Sequence, residues 1–160
     1  MIPLEIEHKF LVNADKLDLS KEKIMEVIEL VQGYTKDGVR FTQMTKRSNP
    51  LKTLYKMCYK SGEGLVRQEA QCEIPKEVFD LIWPLTLGKR VTKTRYLLDY
   101  STFQFEVDFY KACKQHPLVT AEIEFTSRED AANFDDDLLP IWVIARITND
   151  AAFLNINLAC

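Results

Sequence analysis

The stretch "LEIEHKFLV", residues 4–12, alternates with a period of two. Glu5, Glu7 and Lys9 fall on one parity; Leu4, Ile6, His8 and Phe10 fall on the other. Such alternation marks a strand with one apolar face. In an open sheet that strand turns its charges to water, and a single segment argues for nothing more. The spacing recurs, however, in Arg67 and Glu69, Lys93 and Arg95, Glu106 and Asp108, and Glu122 and Glu124. Lys56 shares a parity with Lys60, and Glu69 with Glu73, while Arg40 is alone on its strand. The positions between them are mostly apolar or small: Phe105, Val107, Phe109; Ala121, Ile123, Phe125; Val66, Ala70, Cys72, Ile74. Residues i and i+2 face the same way, about 6.5–7 Å apart. One face of the sheet is therefore rich in both acids and bases.

The rest of the chain reads as strands with a few helices. After a polar loop at 13–23, residues 26–35 form a strand, followed across the turn "KDG" by its hairpin partner "GVRFTQMT". "TLYKMCYK" (53–60) and "LVRQEAQCEI" (65–74) flank "SGEG", the signature of a second hairpin. "PKEVFDLIWPLT" (75–86) has helical spacing with Pro75 near its start and Pro84 near its stop. Three more strands follow: "RVTKTRYLLDY", "TFQFEVDFY" and "LVTAEIEFT". "SREDAANFDDDLL" (127–139) reads as a helix capped by Ser127 with an acidic first turn. Residues 140–160 are mixed and carry no clear pattern.

Bulk properties narrow the function. A chain of 160 residues, 46% hydrophobic, can bury a real core and is expected to be one domain spanning 1–160. A net charge of -3 gives no bias toward nucleic acid or anionic membranes. No segment has the apolar length of a membrane span, and Glu5 arrives too early for a secretory signal. Cys58, Cys72, Cys113 and Cys160 are not spaced as a metal knuckle or redox pair, so a reducing, cytoplasmic setting is expected. His8, on the apolar parity, reads as structural, and neither it nor His116 belongs to a zinc or triad motif. Chemistry here must come from carboxylates, lysines and arginines.

Neighbouring acids on one strand repel unless a cation neutralises them. Three acidic pairs on one face look like sites for hard divalent ions such as Mg²⁺ or Mn²⁺. Lys9, Arg40, Lys60, Arg67, Lys93 and Arg95 supply the complementary half, suited to phosphate oxygens. Two architectures fit. In one, a closed antiparallel barrel keeps the charges inside and covers its apolar outer face with helices at 75–86 and 127–139. In the other, a twisted open sheet carries a salt-bridge lattice on its outer face.

"EIEHK" resembles the Glu-X-Glu-X-Lys signature of the CYTH domain, the triphosphate tunnel metalloenzymes. Later segments are similar in order: "QGYT" followed by "VR", "YKSGEGLVRQEAQCEI", "LGKRVTKTRY", "FEVDFY" and "AEIEF". "QGY" and "KTRY", and the chain's brevity, are most like the short bacterial members that hydrolyse inorganic tripolyphosphate. The resemblance implies an α+β fold: an eight-stranded antiparallel barrel with a charged interior and helices packed outside. It implies a linear triphosphate substrate and Mg²⁺ or Mn²⁺ in a two-metal site. By position, Glu5, Glu7, Glu69, Asp108, Glu122 and Glu124 resemble metal ligands. Lys9, Arg40, Lys60, Arg67 and Arg95 resemble phosphate ligands. Tyr34 and Lys93 stand where short members pair a tyrosine and a lysine near the attacking water; Lys93 is a general base, its pKa depressed by neighbours such as Arg95, or a plain phosphate ligand.

Departures from the family pattern are Thr42 for a second arginine after Arg40, and Gln71 for an acid between Glu69 and Glu73. In the tail, which helps plug the family's tunnel, Arg146, Ala152 and Phe153 replace Glu, Arg and Tyr. The rival enzyme readings are a class IV-type adenylate cyclase and a thiamine triphosphatase. The rival outside enzymology is a polyphosphate- or nucleotide-binding module, against which the acidic pairs argue. Expected partners are a small-molecule triphosphate and, optionally, a second copy in a homodimer; neither nucleic acid nor a membrane is expected.

Overall fold

The computed structural model describes residues 3–62 and 64–160. Its strands are β1 (Leu4–Val12), β2 (Ile24–Tyr34), β3 (Arg40–Lys46), β4 (Asn49–Ser61), β5 (Val66–Glu73), β6 (Arg90–Asp99), β7 (Gln104–Ala112), β8 (Leu118–Glu124) and β9 (Val143–Arg146). The sheet order is β5-β4-β3-β2-β6-β7-β8-β1-β9, and β1 also pairs with β5 through Leu4–Gln68, Glu5–Arg67 and Ile6–Val66. That last pairing closes an eight-stranded antiparallel barrel, and the open-sheet alternative falls. β8 takes one edge of β1, from Glu7 to Leu11. The other edge is shared: β5 holds Leu4–Ile6 and β9 holds Phe10–Val12.

Closure turns the parity of the sequence into inside and outside. Phe10, Val12, Leu98, Phe105, Val107, Ala121 and Ile123 point away from the barrel axis and form the main core with Leu17 and Trp142. Burying each large side chain of this kind stabilises by about 1.5–3 kcal/mol. The segment that covers them contains α2 (Arg128–Ala132), capped by Ser127, whose hydroxyl accepts from the Asp130 N–H. The helix expected over 127–139 stops after five residues. Asp135 accepts from the Asp137 N–H and starts a separate 3-10 turn, Asp136–Leu138; short Asp side chains compete in this way with helical backbone bonding. His8 belongs to the outer face: its Nε2 bonds the Ala131 carbonyl at 2.8 Å, and its ring stands edge-on to Phe125.

α1 (Lys76–Ile82) lies against β4, with Phe79 against Tyr55 and stacked on Trp83, each at 4.8 Å. Pro84 ends its α-helical geometry, and residues Trp83–Thr86 continue as a 3-10 turn. The helices cover less of the outer face than expected. Met57 and Tyr59 of β4, and Ala70 and Cys72 of β5, stay exposed. The patternless tail folds across one end of the barrel. After a 3-10 turn at Ala151–Phe153, the short helix α3 (Asn155–Leu158) buries Leu158 and is followed by Ala159, both packed with Tyr34, Val91, Tyr110 and Leu118.

Candidate active site

The barrel encloses a cavity of about 400 Å³. Its charged lining comes from the inward parity of seven strands: Glu5, Glu7 and Lys9; Arg40; Lys56 and Lys60; Arg67 and Glu69; Arg95; Glu106; Glu122 and Glu124. Tyr34, Thr42, Cys58 and Gln71 line it too, and Leu154, Asn155 and Ile156 of the tail close one end. The tail is held there by Asn155, which accepts from the Tyr110 hydroxyl.

The charges form two sets. In the first, Asp108 is fully buried, and its carboxylate takes Arg95 bidentately, Nε to Oδ1 at 2.7 Å and Nη2 to Oδ2 at 2.8 Å. Oδ2 also accepts from Lys93. Arg95 reaches further to Glu106 and, at 3.1 Å, to Glu122, and Lys9 pairs with Glu122 at 2.9 Å. Burial opposes charge on Asp108 and Glu122. Arg95 and Lys93 outweigh it at Asp108, and Lys9 and Arg95 at Glu122, so both carboxyls are held below the usual range.

In the second set, Glu5, Glu7 and Glu124 each place a carboxylate oxygen within 4.8 Å of the others. Lys60 bonds Glu5, and Arg67 bonds Glu7. Among the described residues Glu124 has no ion pair. Burial, then the charges of Glu122 and Glu5, push Glu7 up to about 7, despite Lys60 and Arg67. Burial, then other acids, also raise Glu124. Glu5 Oε2 is buried and accepts no aligned hydrogen bond, although Arg67 Nη2 lies 2.9 Å away. An all-oxygen trio that repels itself, with an unsatisfied acceptor, fits a hard divalent cation. The same cavity has the converse feature: the Nε donors of Arg40 and Arg67 are buried without an acceptor, as suits an anion.

Lys93 lies beyond the cavity wall at 0% exposure, its Nζ 5.2 Å from the centre of the Tyr110 ring. Burial pushes its amine down to about 8, with Arg95 adding and Asp108 opposing. Solvent exclusion, more than the neighbouring Arg95, causes the depression. Tyr34 faces the cavity, raised by burial against the pull of Arg40 and Lys9. No hydrogen bond joins Tyr34 to Lys93 here; Lys9 acts on both.

Asp108 and Glu106 share a parity, but Glu106 lines the cavity while Asp108 is consumed behind it. Glu106 was legible as half of an acidic pair and absent from the candidate ligands. Cys58 is likewise unexpected inside: it sits between Lys56 and Lys60, and donates to Glu69 Oε1 at 3.0 Å. Thr42 receives Gln32 Nε2 at 3.3 Å, a neutral pair in place of a second base. Arg146 turns outward to Asp136 and to within 3.3 Å of His8.

No protein-family profile matches the chain. The inorganic triphosphatase of Nitrosomonas europaea is 35% identical over 156 residues, 97% of this chain and 96% of that protein. The chain belongs to the CYTH, or triphosphate tunnel, family. Among solved structures, the inorganic triphosphatase NE1496 superposes with a TM-score of 0.64 at 30% identity, over 99% of this chain and 95% of that one. A putative adenylyl cyclase from Hippeastrum, described as having a dominant triphosphatase activity, is 11% identical. Its TM-score is 0.51, over 81% of this chain and 82% of that one, and it shares the fold alone. As a CYTH protein, this chain keeps the tail across the tunnel even though Arg146, Ala152 and Phe153 stand at divergent positions.

Proposed function

We propose that this protein hydrolyses a linear triphosphate, inorganic tripolyphosphate before any organic ester, to pyrophosphate and phosphate. The observation that carries the reading is the cavity itself: six bases, two of them with idle buried donors, around a self-repelling carboxylate trio. Full-length likeness to an inorganic triphosphatase supports the substrate. Lys9, Arg40, Lys60, Arg67 and Arg95 bind the phosphate chain, and Arg offers a fork suited to its oxygens. Glu5, Glu7 and Glu124 would hold Mg²⁺ or Mn²⁺. A bound divalent ion supplies charge neutralisation and acidifies water. A second ion would draw on Glu69 or Glu122, which are engaged by bases until substrate phosphates compete for those bases; Asp108, taken up by Lys93 and Arg95 behind the wall, lies out of its reach.

Phosphoryl transfer requires alignment more than covalent catalysis. Water attacks the terminal phosphorus, the bridging P–O bond breaks, and its electron pair leaves on pyrophosphate. Lys93, with a share of neutral amine near pH 8, is the base we assign; sealed behind the cavity wall on Asp108, its Nζ receives the attacking water's proton through an intervening water. The Tyr34 hydroxyl orients that water. The test is phosphate release from tripolyphosphate by the purified protein with Mg²⁺ or Mn²⁺, beside ATP and thiamine triphosphate. Preferred turnover of tripolyphosphate supports the reading. Cyclic AMP formed from ATP with tripolyphosphate left intact would refute it, and metal-independent binding without turnover would leave a binding module.

A further inference from the structure

Gly33 precedes Tyr34 on β2 and faces outward, paired with Phe41 of β3 and Arg90 of β6. A Cβ at Gly33 would lie 2.5 Å from Thr86 Oγ1 and 2.8 Å from Trp83 Cζ3. The segment Trp83–Thr86 therefore rests directly on bare backbone, beside the residue that carries the tyrosine. Thr86 is fully buried there. Its hydroxyl donates to the Trp83 carbonyl at 2.8 Å and accepts from Arg90 Nε at 2.9 Å. Arg90 Nη2 bonds the same carbonyl at 2.8 Å, and its guanidinium lies 4.3 Å from the centre of the Trp83 ring.

The backbone completes this arrangement. Lys89 N–H bonds the Thr86 carbonyl at 3.0 Å, and the Lys89 carbonyl receives the Tyr34 N–H at 2.9 Å. Arg90 and Cys160 exchange backbone bonds of 2.9 and 3.0 Å, which ties down the tail whose Leu158 packs with Tyr34. Arg90 thus joins three pieces: the outer strap, the end of β2 and the closing tail.

We infer that Arg90 is a positioning residue for Tyr34, fixing from outside the barrel where the phenol points inside it. The inference rests on the role proposed for Tyr34. A planar fork with several donors can hold both Thr86 and Trp83 at once, and small misplacements of an orienting group are costly in rate. Arg90 touches nothing in the cavity, so its effect passes through Tyr34 and cannot exceed that of removing the hydroxyl.

The test is a double-mutant cycle on tripolyphosphate turnover, with kcat and KM measured separately. Tyr34→Phe should lower kcat by about 2- to 10-fold. Arg90→Ala should lower kcat by no more than that, with KM nearly constant. In the Tyr34→Phe background, Arg90→Ala should change kcat little. Thr86→Val removes only the hydroxyl that receives Arg90 Nε and should show the same pattern at smaller amplitude, including if Arg90→Ala does not fold. Equal losses in both backgrounds, or a raised KM with kcat intact, would overturn the positioning role alone. An unchanged kcat in Tyr34→Phe would overturn both the role of Tyr34 and this inference.

Discussion

Glu7 on β1 and Glu122 on β8 face one cavity, yet their carboxyls titrate in opposite directions. Both are buried, which alone would raise both. Glu122 has Lys9 and Arg95 against it, and their attraction exceeds the cost of burial. Glu7 has Arg67 and Lys60, but burial and the charges of Glu122 itself and of Glu5 outweigh them, with Glu124 crowding the same spot. One region is thus internally neutralised before any ligand arrives. The other holds an excess of negative charge that an added cation relieves. Composition is nearly the same in the two regions; pairing makes one a scaffold and the other a receptor.

The sharpest way to break this comparison is Asp108→Asn. It leaves Lys93 buried without its counter-ion, and removing one partner of a buried pair costs about 3–5 kcal/mol. Urea denaturation should show that loss; a variant as stable as wild type would mean that Lys93 is not held by charge. Glu7→Gln should do the reverse. Turnover should fall by about 10²-fold or more, the scale of losing one preorganised electrostatic contact, while the metal-free protein melts no lower, and higher at pH 8. Activity close to wild type at saturating Mg²⁺ would remove Glu7 from the ion's ligands.

The pH dependence of the metal-free fold separates the two regions without mutation. Glu7 is raised in the folded state, from 4.5 to about 7. Its contribution is complete below the unfolded value and is lost as pH rises through about 7. Glu106 and Glu124, also raised mainly by burial, act in the same direction. Asp108 and Glu122 are depressed, so their contribution is present above the unfolded value and is lost as pH falls through the folded one. Calorimetry of chelated protein should therefore show falling Tm on both sides of a mildly acidic maximum, and Mg²⁺ should restore Tm on the alkaline side only. A flat profile from pH 5 to 8 would show that the trio is not strained. The smallest effect is at Lys56, which lines the cavity without an ion pair among the described residues. Lys56→Gln should raise KM by a few-fold with kcat unchanged, since a half-buried point charge without a fixed partner contributes about 1 kcal/mol or less; a fall in kcat would place it nearer the reacting phosphate.

Parity was legible because side chains alternate strictly along a strand, and Glu5, Glu7, Arg67, Glu122 and Glu124 were assigned to one face on that ground alone. Closure into a barrel followed from the family likeness and the excess of charge on that face. Which acid meets which base was not legible. Glu106 and Asp108 are equivalent by parity, and only the register of β6 on β7, which sets Arg95 opposite Asp108, separates them. The tail was illegible for a related reason. Its order comes from partners far away in sequence, such as Arg90 for Cys160 and Tyr110 for Asn155, not from its own periodicity. The helix expected over 127–139 breaks because the Asp135 turn competes with it locally.

The shared edge of β1 carries a kinetic consequence. The strand bearing Glu5 and Glu7 leaves the ribosome before its ladder partners Arg67, Glu124 and Arg146. Contacts so distant in sequence make folding slow, since chain closure must precede any reward from pairing. Until residue 146 has emerged, β1 has bare backbone along part of one edge, a template for the wrong partner. Glu5 and Glu7 must wait for strands made after them, so nascent chains truncated before β9 should be far more prone to aggregate than to bind phosphate.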